Sequence, residues 1–109
     1  SGRLRSLGIT SAQRVDYAPD TPTIAEQGYP DFEAYIWYAV YGPRALAPAL
    51  VQRWNESSNR FLKSPKAQEF FRSSYMTPVG GSAESFARYH ASEIKRWAAA
   101  VSAAGIQPQ

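Results

Sequence analysis

The sequence has no cysteine, only one histidine and only one methionine among its 109 residues. Disulfides and thiolate metal sites are therefore excluded for these residues. Without cysteines, the sequence does not indicate whether the protein works in an oxidising or a reducing compartment. No run approaches the roughly 18 apolar residues that a membrane-spanning helix needs. The opening residues SGRLRSLGIT lack the apolar core of a signal peptide. Because a strand pattern begins there at once, we expect that the chain was cut from a longer protein.

The charge pattern disfavours a nucleic-acid partner. The net charge is +3, but the 12 basic residues are spread along the chain and only Lys95 and Arg96 are adjacent. No basic stripe with interleaved aromatic residues is present, and this is the pattern that a nucleic-acid interface usually requires. With 44% hydrophobic and 19% charged residues, the composition indicates a small globular domain with one core.

The first 41 residues predict two strands separated by a short helical turn. Residues 4–10 are predicted to form a short strand. Thr23 and Glu26 fit a capping box, and Gly28 fits the end of one or two helical turns. Residues 32–41 predict a longer strand that is apolar on both faces, and we expect it to be covered on both sides, as in an α/β sheet.

The remainder predicts three helices. Pro48 suits the first position of an amphipathic helix of about four turns. Ser64 is predicted to cap a second, shorter helix and Ser82 a third, while Gly105 fits the residue that ends it. Two aromatic stripes have core spacing, Trp54 with Phe61 and Phe86 with Trp97.

Candidate catalytic groups are few, and each has a simpler interpretation. His90 and Glu93 have a spacing that can place two metal ligands together, but a partly buried histidine beside an aromatic stripe is favoured. Asp31 and Glu33 would share one face of a strand, but a solvent-exposed turn is favoured over acid–base chemistry. The glycines of PVGG lack a phosphate-loop pattern. The residues alone identify no function.

Four successive motifs resemble one family, the periplasmic solute-binding receptors of tripartite tricarboxylate transporters, also called Bug receptors. LRSLGITSAQR looks like that family's strand followed by T-S-A-x-R. DTPTIAEQGYPDFEAYIWYAVYGP looks like its linker into a Trp-bearing strand. LVQRWNESSNRFLKSPKAQEFF looks like its helix pair, and TPVGGSAESFARYHASEIKRWAAAVSAAGI looks like its closing segment.

The resemblance implies an α/β fold with two to three strands and three main helices. The chain would be the C-terminal fragment of a two-domain, periplasmic-binding-protein-like fold of the type II, clamshell kind. Residues 1–30 would hold the end of the second lobe and the inter-domain crossover. Residues 31–109 would hold the C-terminal part of the first lobe. The resemblance also implies a periplasmic location.

The resemblance implies transport rather than catalysis. The parent would bind a small organic acid, a dicarboxylate, tricarboxylate or similar, and deliver it to membrane permease subunits, without a cofactor or a metal. The implied ligand-binding residues are Trp37 and Tyr38, with Thr10 and Ser11 at the end of the first strand. From the pattern alone, the aromatic residues of 32–41 fit either a core or a cleft wall.

The alternative is a stand-alone structural or interaction domain with no ligand. A lone half-domain would leave sheet edges and apolar helix faces without their partners. In either case we expect the chain to self-associate.

Overall fold

The computed structural model describes residues 4–107. The elements are a 3₁₀ turn at Ala25–Gln27 and three helices. The helices are α1 (Pro48–Leu62), α2 (Pro65–Ser73) and α3 (Ala83–Ala103). The chain divides into two compact units, Ser1–Tyr41 and Gly42–Gln109. The predicted three main helices are therefore confirmed.

The first unit is organised around one parallel bridge between Ile9 and Thr23. The N–H of Ile9 donates to the carbonyl of Pro22 at 3.0 Å, and the N–H of Ile24 donates to the carbonyl of Ile9 at 2.9 Å. Thr23 is 1% exposed, so this bridge lies at the most buried point of the unit.

The predicted capping box follows the bridge and is confirmed. The N–H of Thr23 donates to Oε2 of Glu26 at 2.7 Å, and the N–H of Glu26 donates to Oγ1 of Thr23 at 3.1 Å. Gly28 then takes a left-handed conformation with φ of 103° and ends the turn. A residue with a Cβ atom would be strained at this φ.

A tight turn leads out of this region. The N–H of Phe32 donates to the carbonyl of Tyr29 at 3.1 Å. Between them stand Pro30, whose ring fixes φ, and Asp31, whose φ is 66°. Asp is among the few non-glycine residues that tolerate this region, so the sequence YPD suits the turn.

The predicted strands are not confirmed. Among residues 4–107 the structure contains the single Ile9–Thr23 bridge and no longer ladder. The expectation that residues 32–41 are covered on both faces is wrong for this chain, because Ile36 is 89% exposed and Tyr38 is 80% exposed. A strand needs a neighbouring chain that offers backbone N–H and C=O groups along its length. Among the described residues, Thr10 offers one such group, which accepts from the N–H of Ala34.

The predicted helix caps are confirmed. Pro48 occupies the first turn of α1. The Ser64 hydroxyl accepts from the N–H of Ala67 at 3.3 Å, and the Ser82 hydroxyl accepts from the N–H of Ser85 at 3.1 Å. Each cap satisfies a backbone donor that the helix itself leaves unpaired.

The end of α3 has the backbone of a Schellman arrangement, as predicted. The N–H of Ile106 donates to the carbonyl of Val101 at 3.2 Å, and the N–H of Gly105 donates to the carbonyl of Ser102 at 3.0 Å. Gly105 has a φ of 67°, which is the conformation that this ending requires.

Two asparagines of α1 hold the glycine turn that precedes α3. Asn59 donates from Nδ2 to the carbonyl of Gly81 at 2.9 Å and accepts at Oδ1 from the N–H of Gly81 at 2.8 Å. Asn55 donates to the same carbonyl at 2.9 Å. A Cβ atom at Gly80 would lie 2.6 Å from Oδ1 of Asn59, so glycine is needed for this approach.

The prediction that the aromatic stripes form a core is wrong for the described chain. Trp54 is 65% exposed and Phe61 is 57% exposed. Trp97 is also exposed. The less exposed side of α1 instead carries Val51, Asn55, Ser58, Asn59 and Leu62. The Trp54–Phe61 side of α1 is therefore not the side that packs. The packed side carries Asn55 and Asn59 because their side chains bind Gly81.

Replacing Asn59 should test how much this side-chain clamp contributes. We expect Asn59→Ala to lower the free energy of unfolding by about 1–3 kcal/mol, because both polar groups of the Gly81 peptide lose a partner. Asn55→Ala should cost ~1 kcal/mol or less, since it removes one bond to that carbonyl. Urea denaturation and amide exchange at Gly81 provide the measurements. The exposed neighbour Arg60→Ala is the control, and equal Gly81 exchange in all variants would contradict the clamp.

Candidate functional site

The candidate residues Thr10 and Ser11 lie directly after the Ile9 bridge. The carbonyl of Thr10 accepts from the N–H of Ala34 at 2.8 Å, which fixes this turn against the start of the segment 32–41. The hydroxyl of Ser11 donates to the carbonyl of Gln13 at 2.6 Å. In this rotamer it offers a ligand only acceptor lone pairs, so it must rotate before it can donate to an anion.

Tyr35 provides a second link between these two segments. Its hydroxyl accepts from the N–H of Ala12 at 3.0 Å and lies 3.4 Å from Oε2 of Glu33, to which it can donate. Sequence reasoning missed this role because the partners are 23 residues apart. The structure therefore brings Thr10 and Ser11 together with residues 33–35.

Trp37 and Tyr38 lie three and four residues beyond Ala34 on the same segment. Trp37 is partly buried and Tyr38 is largely exposed. Neighbouring side chains of an extended chain point to opposite sides, so the two rings are not expected to line the same wall. Of the pair, Trp37 is the side chain that already has protein neighbours on one side.

Two open hollows flank this junction within the first unit. The larger, of about 440 Å³, is lined by Ala12, Ala25, Asp31, Phe32 and Glu33. The smaller, of about 380 Å³, is lined by Leu7, Gly8, Ile24, Gln27 and Tyr29. Two carboxylates in the larger hollow would repel an organic anion, by about 1 kcal/mol per pair at 4 Å in water and more where water is excluded. This hollow therefore disfavours an organic anion.

Arg14, which follows Ser11 by three residues in the sequence, is already engaged. Nε of Arg14 donates to both carboxylate oxygens of Glu26, at 3.1 and 3.0 Å, and Nη1 donates to the carbonyl of Pro19 at 3.0 Å. The N–H of Thr23 and then the Arg14 guanidinium hold the pKa of Glu26 below its ordinary value. Arg14 therefore serves the capping box, and the donors of the Thr10–Ser11 turn itself are its hydroxyls and backbone N–H groups.

The histidine of α3 has the simpler role that the sequence favoured. The rings of His90 and Phe86 are stacked with centroids 5.8 Å apart, and His90 is partly buried. Among residues 4–107 no group of three or more His, Asp or Glu side chains is placed to hold a metal ion. None of the helices described over these residues is long and apolar enough to cross a membrane.

Glu93 takes part in a network that sequence reasoning did not find. It is 5% exposed, and its carboxylate accepts from Nη2 of Arg96 at 2.8 and 2.9 Å and from Nε1 of Trp97 at 3.2 Å. The guanidinium of Arg96 also lies 5.5 Å from the centre of the Trp97 ring. The spacings of three and four along a helix are the signal that could have predicted this group.

Comparison with known proteins gives consistent matches. The sequence profile of the tripartite tricarboxylate transporter family receptor matches residues 1–106. The chain is 38% identical over 107 residues to Protein BugT of Bordetella pertussis, covering 98% of the chain and 33% of that protein. It is 35% identical over 96 residues to the UPF0065 protein in the tcbD-tcbE intergenic region of a Pseudomonas species, covering 87% and 29%.

A third relative is the UPF0065 protein in the clcB-clcD intergenic region of Pseudomonas knackmussii, which is 32% identical over 98 residues. That match covers 89% of the chain and 58% of the relative. The chain spans about a third of the length of the first two relatives. No solved structure matches the chain.

The lowered pKa of Glu26 generates a test of the Arg14 and Thr23 bonds. A depressed folded pKa means that Glu26 stabilises the fold above its ordinary pKa of 4.5, and that this contribution is lost as pH falls through the lowered value. The amide signal of Thr23, which bonds to this carboxylate, should report the titration in an NMR series from neutral to acid pH. Arg14→Gln should move the midpoint upward, while Thr23 keeps part of the shift.

Arg5→Gln is the control, because Arg5 is an exposed cation of the same unit. Its midpoint should equal that of the unaltered chain. Identical midpoints in all three proteins would show that Arg14 does not hold the Glu26 carboxylate.

Proposed function

The chain belongs to the tripartite tricarboxylate transporter receptor family, and we propose that it forms part of a periplasmic receptor that binds a small organic acid and delivers it to a membrane permease. The observation that carries this proposal is the family match over residues 1–106. In this role the acid is held and released without making or breaking a bond, so the receptor is not an enzyme.

The proposed site uses neutral donors for a charged ligand. Thr10 and Ser11 would donate hydrogen bonds to a carboxylate, with backbone N–H groups and ordered water completing the set. Trp37 would add the apolar face of its ring, and Tyr38 would contribute from the opposite side of the segment. The engagement of Arg14 with Glu26 supports this choice of donors.

We propose that the chain is the C-terminal portion of a two-lobed receptor with an α/β, clamshell fold. Residues 1–30 would belong to the end of the second lobe and the crossover, and residues 31–109 to the first lobe. The exposure of Ile36 on one side of the segment 32–41 and of Tyr41 on the other supports a strand whose neighbours lie elsewhere in the receptor. Binding would then close the lobes about the crossing segments.

A second candidate is supported by the exposed apolar side chains of the helices. In the isolated chain Trp54, Phe61 and Phe70 are each more than half exposed. A stand-alone interaction domain would bury them against further copies of itself, without a ligand.

The receptor proposal predicts that organic acids stabilise the full-length receptor. A panel of mono-, di- and tricarboxylates should include one that raises the melting temperature, equivalent to about 2.7 kcal/mol at a hundredfold excess over Kd. The amide of the same acid should have no effect. In calorimetric titration Thr10→Val should weaken the binding about five- to tenfold, the value of one hydrogen bond.

Thr77→Val is the matched control, since Thr77 is an exposed threonine of the second unit. It should bind as tightly as the unaltered receptor. If no acid in the panel shifts the melting temperature, the receptor proposal fails. Equal weakening by Thr77→Val would remove Thr10 from the site.

The isolated chain should self-associate, because its helices expose large aromatic side chains to water. Size-exclusion chromatography with light scattering at high micromolar concentration should give a mass above that of one chain. Trp54→Gln should reduce association, whereas Gln52→Asn, a polar exposed position of the same helix, should not. A clean monomer across the concentration range would contradict this expectation.

A further inference from the structure

The turn at residues 10–13 is tied to two successive residues of the segment that follows it in space. The carbonyl of Thr10 accepts from the N–H of Ala34 at 2.8 Å, and the N–H of Ala12 donates to the hydroxyl of Tyr35 at 3.0 Å. The first tie joins backbone to backbone, so it does not depend on which side chain stands at position 34. The second tie depends on the phenol hydroxyl, and a change of one side chain can therefore remove it.

The Ala12 bond holds one backbone donor of this turn and leaves two others. Among residues 4–107 no protein acceptor is bonded to the N–H of Ser11 or to that of Gln13. The hydroxyl of Ser11 donates to the carbonyl of Gln13 at 2.6 Å, within the turn itself. Because peptide groups are planar and joined in series, fixing the Ala12 N–H also restricts the peptides on either side of it.

The hydroxyl of Tyr35 is engaged with the protein in both of its roles. Its oxygen accepts from the N–H of Ala12, and its single hydrogen can be donated to Oε2 of Glu33, which is 3.4 Å away. The negative charge of Glu33 also makes the surroundings of this hydroxyl unfavourable for an anion. Tyr35 would therefore affect a bound acid through Ala12 rather than by contact with the acid.

We propose that Tyr35 is a positioning residue of the solute site, whose hydroxyl holds the Ala12 peptide in the arrangement that receives a carboxylate. This inference rests on the proposed binding of an organic acid at Thr10 and Ser11. For an acid that binds only the held turn, the apparent Kd rises as the fraction of receptor with a held turn falls. Loss of the hydroxyl lowers that fraction before the acid arrives, so the affinity should be lost mainly in the association rate constant.

The test compares Tyr35→Phe with the unaltered full-length receptor, because phenylalanine keeps the ring and removes only the hydroxyl. The probes are acetate, succinate and citrate, one for each class of acid in the panel. With an acid that binds, calorimetric titration should give a Kd raised about three- to tenfold, the value of one hydrogen bond. Stopped-flow kinetics should assign most of this loss to association. Titration well below the melting temperature of each protein excludes an unfolded fraction as the cause.

Tyr29→Phe is the matched control, since Tyr29 is an exposed tyrosine of the same unit. It should bind the acid as tightly as the unaltered receptor. Amide exchange without ligand separates positioning from a general loosening of the unit. In Tyr35→Phe the amide of Ala12 should exchange faster, whereas the amide of Thr23, which is bonded to Glu26, should not change.

The remaining outcomes distinguish this inference from the solute proposal. An equal Kd for Tyr35→Phe and the unaltered receptor would overturn the positioning role and leave the solute proposal standing. The same conclusion would follow from an equal loss in Tyr29→Phe, or from a loss confined to dissociation with unchanged exchange at Ala12. If no acid binds the unaltered receptor, the solute proposal fails and the positioning role fails with it.

Discussion

The hydrogen bonds between Thr23 and Glu26 are the interaction on which the first unit depends. They fix the 3₁₀ turn beside the Ile9–Thr23 bridge, and Glu26 in turn engages Arg14. The Asn59–Gly81 bonds have the same part in the second unit, where they fix the turn into α3. In both units, side chains form hydrogen bonds with backbone N–H and C=O groups that have no partner in a sheet or a helix. A folded chain needs such partners for its backbone polar groups.

This arrangement also decides which chemistry is left for a ligand. Arg14 is taken by Glu26, and the larger hollow carries the carboxylates of Asp31 and Glu33. In the proposed receptor an organic acid would be received at the turn of Thr10 and Ser11, which the N–H of Ala34 and the hydroxyl of Tyr35 hold in place.

The features that the sequence predicted correctly are local. Each helix cap, and the capping box, depends on two residues three positions apart. The end of α3 at Gly105 depends on a bond between residues five positions apart, Val101 and Ile106. The strands and the core were not confirmed, because pairing and burial depend on residues distant in the chain. The bonds between Asn59 and Gly81 join residues that are 22 positions apart, and the spacing of apolar residues along the sequence cannot predict such a contact. The family resemblance, carried by motifs in order, predicted the class of protein, while the site residues stay predictions.

Hydrogen–deuterium exchange of the full-length receptor, with and without the acid that it binds, tests the central claim most directly. If this part of the receptor forms one wall of the solute site, amides of residues 10–14 and 33–38 should gain protection on binding, while those of α2 should not change. Protection that appears elsewhere and leaves both of these segments unchanged would contradict the assignment of the site to Thr10, Ser11 and Trp37.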